Sequence, residues 1–405
     1  MTTTDDLLDR ITSAAAGASD DAGIRITASY EPAAGRDSIV FPPTYPDIDR
    51  TLPNLKYALS ERHIDGDVHQ VVLLDSFQSQ ANRVEAELQD LIDDGQVRIP
   101  YIETSTVVAG RTIRVTNLVA PHRGPDAYFR DSEDAEGTAF DDTVVGQALR
   151  AADIRSARPY YEYVPTDLVF GFWDSHRGGR GVKLARAYVS EIVGVDPKVG
   201  KRGAVRFDPN NIPKTSIAFP KKHPEDFVVL EVDDEGKESK PPKGFVSGSP
   251  SEAGHGNVVD SDANPGVSVS GIRRSAFVSI TALRRLRFPD KSDRSSREVD
   301  AAGRAVLASI ALLGDLVAFD GPSVFLRSGC DLLCCETALK WVGRGGERDV
   351  LEVSLESAIE LFNSAVRRAA DVGLEWADDP LRLRPKENLA KLLEVAVSTA
   401  PSEGE

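Results

Sequence analysis

The sequence predicts an α+β fold with insertions, on three observations. A short apolar strand, a long amphipathic helix and a hairpin follow one another between residues 70 and 119, the order of half a ferredoxin-like unit. Residues 298–319 read as an almost wholly apolar helix, and such a helix must be buried. Two polar, poorly periodic stretches, 121–145 and 233–268, interrupt the patterned sequence and read as insertions, the second of them mobile.

Taken in order, residues 1–23 are small and acidic and predict a helical tail. Ile24, Ile26, Ala28 and Tyr30 then alternate with Arg25, Thr27 and Ser29, the period of a half-buried strand. Pro42, Pro43 and Pro46 mark a rigid loop. Gln70–Leu74 is a short buried strand, and Ser76 is a fitting N-cap for a helix over 77–93. Phe77, Ala81, Val84, Leu88, Leu91 and Ile92 form its core face. Gly95 closes it, and strands over 99–108 and 111–119 meet at an Ala109-Gly110 turn. Residues 266–288 return to strand-like sequence before a basic turn at Arg284-Arg285, and amphipathic helices over 355–372 and 386–398 end the chain. The division expected is a tail over 1–23, a palm over 24–345 carrying the two insertions, and a helical segment over 346–405.

The 405 residues are enough for a large core, and the net charge is −16. That sum hides its distribution. Residues 150–222 carry 14 basic and 7 acidic groups, and residues 271–297 carry 8 and 2, so two basic blocks lie inside an acidic chain. Screening confines each charge to about 10 Å at ordinary salt, so the local blocks matter more for a polyanion than the total does. Internal pairing with acidic groups is the alternative. Cys330, Cys334 and Cys335 are odd in number and lack paired zinc spacing, and neither a signal segment nor a membrane span is evident. Buried thiols, a reducing cytoplasm and no membrane are the expectation.

Two segments carry candidate binding chemistry. In Phe170–Gly194 an apolar strand end enters a basic glycine-rich turn. Val182, Ala185, Tyr188, Val189 and Ile192 then recur at helical spacing, predicting an amphipathic helix. Gly178, Gly179 and Gly181 would let backbone amides approach a phosphate, with His176, Arg177, Arg180, Lys183 and Arg186 around them. The spacing fits neither the Walker pattern nor Gly-x-Gly-x-x-Gly. An ordinary turn with solvated arginines is the competing reading. The second segment is the helix after Ser76, where Ser76, Gln78, Ser79, Gln80, Asn82 and Arg83 fall within two turns. Solvated helix faces favour Glu and Lys, whereas neutral amides and hydroxyls suit a partner rich in donors and acceptors, such as RNA backbone. A buried polar network is the alternative.

Asp75–Glu85, the Pro42–Tyr45 loop, the Gly171–Gly194 segment and Arg327–Leu332 together resemble CRISPR-associated RAMP proteins. The similarity is greatest to the guide-RNA-binding backbone subunit ("Cas-seven" class) of the type I-U, or I-G, Cascade effector. The resemblance implies an RRM-like palm with insertions and several copies stacked along a CRISPR RNA, whose bases stay exposed for pairing with target DNA. It also implies association with the large subunit, with the subunit that processes and caps the guide, and with a recruited helicase-nuclease. The overall acidity and the two insertions depart from the family pattern.

On this reading Ser76, Gln78, Gln80 and Asn82 bond phosphate or ribose. Arg83, Arg177, Arg180, Lys183 and Arg186 neutralise charge, and Arg273 and Arg274 extend the path or contact a neighbouring copy, a solvated edge-strand pair being the competing reading. No cofactor or metal is expected. A RAMP-type endoribonuclease using His176, Asp75 or Asp174, and a protein-only assembly subunit, are the alternatives. Phe170, Phe172 and Trp173 are expected to pack in the core rather than stack on bases.

Overall fold

A computed structural model describes residues 3–45, 56–174, 182–200, 204–210, 212, 217–220, 226–231, 239–256, 258–260, 266–290, 292 and 294–399. The chain divides into a larger unit (residues 1–38, 42–196 and 270–405) and a smaller one (39–41 and 197–269).

The larger unit is mixed α+β. It opens with helix α1 (Thr4–Ala16), whose first turn is held by a Thr3–Asp6 capping box and whose Leu7, Leu8, Ile11, Ala14 and Ala15 are buried. Strand β1 (Asp21–Pro32) buries Ile24, Ile26, Ala28 and Tyr30, as its alternation predicts. Hairpin β2–β3 (Leu59–Ile64, Asp67–Asp75) leads into helix α2 (Phe77–Asp93), capped by Ser76 Oγ accepting from Ser79 N–H.

Hairpin β4–β5 (Ile102–Val108, Arg111–Thr116) does not extend the main sheet, contrary to the half-ferredoxin reading of that segment. It pairs instead with the chain's last strand, and Ser132–Glu133 completes that separate sheet. What decides this is a partner nearly 280 residues downstream, which local sequence does not reveal.

The amphipathic helix predicted after the glycine-rich turn is not formed. Strands β6 (Phe172–Asp174) and β7 (Val182–Leu184) make a ribbon, and β8 (Tyr188–Val195) enters the main sheet. Val189, Ile192, Val193 and Val195 are β-branched and favour the pleated state. Tyr188, Ser190 and Ile192 are buried at period two, and that pattern wins once strands lie on both sides.

Strand β9 (Gly271–Ser279), helix α3 (Arg297–Phe319), and strands β10 (Ser323–Phe325), β11 (Asp331–Gly343) and β12 (Gly346–Val350) follow. Helix α4 (Leu355–Asp371), strand β13 (Leu381–Pro385) and helix α5 (Glu387–Thr399) end the described chain. The main sheet runs β10-β11-β1-β9-β8-β3-β2, with β12 on β11, and every neighbouring pair is antiparallel.

Helix α3 is the hub, packed by α1, α2 and α4. It is long and apolar enough to cross a membrane, but 89% of its apolar window is buried inside the fold. Gly314 lets α2 approach closely, since a Cβ there would lie 2.5 Å from Val84.

In the smaller unit, Ile217–Pro220 pairs with Val228–Val229 on one side and Phe245–Gly248 on the other. Ala204–Arg206 pairs with Val258–Asp260.

Candidate nucleic-acid interface

Packing divides the polar run of α2. Gln78 and Asn82, one turn apart, are exposed, and Ser76 is half-buried with its hydroxyl committed to the cap. Gln80 points inward and is fully buried. Its amide donates to Asp75, and its carbonyl accepts from Ser190 Oγ at 2.7 Å. A contact from Gln80 to RNA is therefore ruled out by burial.

The same correction applies to Arg274. It is 2% exposed, bonds Asp315 and the Tyr188 hydroxyl, and lies 3.5 Å from the centroid of the Phe319 ring. A guanidinium costs several kcal/mol to bury, so this one is matched by a carboxylate and an aromatic face. Arg273, on the opposite face of β9, is half-exposed and pairs with Asp65 at 2.8 Å. Arg83 donates to the Phe325 carbonyl at 2.9 Å and lies 3.9 Å from Asp75. His176, Arg177, Gly178, Gly179, Arg180 and Gly181 lie outside the described residues.

Lys183 and Arg186 do meet the start of α2. Both line a cleft of about 490 Å³ together with Phe77, Arg123, His122 and Trp173. Gly171 makes its wall possible. Its φ is +74°, and a Cβ there would lie 2.6 Å from the Leu184 carbonyl and 2.9 Å from Arg186 N.

Beneath the cleft is a charge network that the sequence reading missed. Arg123 is almost wholly buried, holds a left-handed φ of +58°, clasps Glu85 with two bonds of 2.6 Å and donates to the Gly171 carbonyl. Asp167 accepts from Gly124 N at 2.8 Å and from Asn117 at 3.0 Å. Burial pushes the Glu85 carboxyl up to about 7 against the pull of Arg123, and burial likewise raises Asp167 to about 7. Burial, then repulsion from Arg123, lowers the pKa of Arg186. Arg186 Nε is buried with no hydrogen-bond partner among the described residues. Arg123 and Asp167 are 44 residues apart in regions of different composition, so no local pattern marks the network.

Phe170 and Phe172 are core residues, against Tyr188 and Tyr160 respectively, but Trp173 is exposed, contrary to the core expectation. Only Cys330 is buried. Cys334 is half-buried and Cys335 exposed, so the three-thiol core is corrected too. No group of three or more metal-ligating side chains gathers among the described residues.

The larger unit is thus an α+β body with a cationic cleft beside an amide-bearing helix. Residues 24–199, from β1 through β8, match the family model described as CRISPR-associated protein GSU0053, just under half of the chain. Over that stretch the chain is similar to CRISPR-associated proteins, and the match supports a role in CRISPR–Cas defence. No curated protein matches it.

Proposed function

We propose that this protein is the guide-RNA-binding backbone subunit of a type I-U/I-G Cascade complex. The observation that carries the reading is a cleft lined by Phe77, the first residue of α2, and by Lys183 and Arg186. Gln78 and Asn82, exposed on α2 next to Phe77 but outside the cleft's lining, supply neutral donors and acceptors, and the two cations supply charge. Contacts of this kind hold a ribose-phosphate strand without reading sequence, as a variable guide requires.

The strand order supports an RRM-like palm. The run β11-β1-β9-β8 places the fourth, first, third and second strands of a βαββαβ unit side by side, with α2 and α3 as its two crossovers. Several copies along one guide, joined by the large subunit and the guide-processing subunit, would leave bases free to pair with target DNA.

The test is binding of purified protein to single-stranded RNA across a salt series. Affinity is expected to fall as salt rises, with a log–log slope of roughly −0.7 per phosphate neutralised. Protein expressed with its neighbouring genes is expected to retain short CRISPR-derived RNA. Protein that binds no RNA in either experiment would overturn the proposal. Cuts in repeat RNA that disappear with Asp75→Ala would turn it toward a nuclease.

A further inference from the structure

Trp173 and Lys183 are directly paired across the β6–β7 ribbon, so their side chains leave the same face. Trp173 is 60% exposed, whereas Trp341 and Trp376 are 2% and 9% exposed. A large flat ring left in water next to the buried ring of Phe172, beside a cleft, is a surface without a partner among the described residues.

The cleft supplies the complementary chemistry. Its volume lies within the range of small-ligand sites, with room for a nucleotide. Lys183 offers an exposed ammonium. The Arg186 guanidinium is half-buried with one unsatisfied N–H, beside a second buried arginine. An incoming anion at the accessible part of the Arg186 guanidinium would offset the repulsion from Arg123. An aromatic face and an under-satisfied cation in one cleft together fit a ligand with a π-face and a phosphate.

We infer that this cleft holds one unstacked nucleotide of the bound RNA, its base on the Trp173 indole and its phosphate at Lys183 and Arg186. The inference rests on the guide-binding reading and deepens it by naming a base-accepting position. Stacking on an aromatic ring tolerates any base, which keeps it compatible with a variable guide.

Trp173 is itself the reporter, because the other two tryptophans are buried. Full-length protein is titrated with single-stranded oligouridine and with an abasic ribose-phosphate oligomer of equal length. Tryptophan emission, acrylamide quenching and anisotropy of a labelled end are followed. Oligouridine is expected to quench Trp173 and shield it from acrylamide, while the abasic oligomer binds without doing either. Trp173→Ala is expected to abolish the quench and weaken oligouridine binding about tenfold, inside the roughly 5- to 150-fold range of one stacked base. Trp173→Phe is expected to recover part of that affinity, and abasic binding is expected to stay unchanged in both variants. Binding with unchanged Trp173 emission, or equal losses for both oligomers, would overturn the stacking position and leave the backbone reading standing. Absence of binding to either oligomer would overturn both.

Discussion

Arg273 and Arg274 are adjacent residues with opposite environments. Alternation along β9 sends Arg273 to a half-exposed pair with Asp65 and Arg274 into the interior against Asp315. Removing one partner of a buried pair leaves the other charge uncompensated. Arg274→Ala is therefore expected to lower unfolding free energy by about 3–5 kcal/mol. Arg273→Ala is expected to cost about 0–1 kcal/mol, the usual scale of an exposed pair. Urea denaturation of the two variants checks the contrast.

Asp167 carries a pH dependence whose sign follows from its burial. Its folded-state pKa, about 7, lies above the ordinary 3.8, so the fold favours the neutral acid. The cost is absent below about pH 4 and accumulates as pH rises through the ordinary value towards the raised one. Asp167→Asn is expected to flatten the decline in unfolding midpoint between pH 4 and 7, read by thermal melts. An unchanged pH profile would show that this carboxyl does not titrate as described.

At the scale of elements, α2 and the segment formed by β7 and its connection to β8 contribute different kinds of contact, and salt separates them. Lys183→Ala with Arg186→Ala is expected to reduce the log–log salt slope of RNA binding by about 1.4, two charges at 0.7 each. Gln78→Ala with Asn82→Ala is expected to weaken binding by about 0.5–1.5 kcal/mol per lost hydrogen bond, leaving the slope unchanged.

Helix α2 was legible to the residue because Ser76 caps it and its apolar side chains recur every third or fourth position. Strand β8 was not. Its apolar residues satisfy both periods, and what settles the choice is pairing to β3 and β9, both remote in sequence. The inward turn of Gln80 was hidden for the same reason, since its carbonyl partner, Ser190 on β8, is remote in sequence.

For the whole molecule, the α+β class and the buried α3 were readable from composition and period. The separate sheet of β4, β5 and β13 was not, because a long-range parallel pair leaves no local trace. The residues around 121–145, which look structureless in sequence, supply Arg123 and Gly124 to the network under the cleft. Breaking that network by Glu85→Gln is expected to destabilise the fold by about 3–5 kcal/mol, since Arg123 would remain buried with half its pair gone. Denaturant unfolding beside wild type measures it.

The most direct measurement is photo-cross-linking of the protein to single-stranded RNA carrying 4-thiouridine, followed by mass spectrometry of the adducts. Adducts on peptides that span Phe77–Arg83 and on those that span Lys183–Arg186 are the predicted result. Adducts confined to α4 and α5, with both of those peptides unmodified, would contradict a shared cleft as the path of the strand.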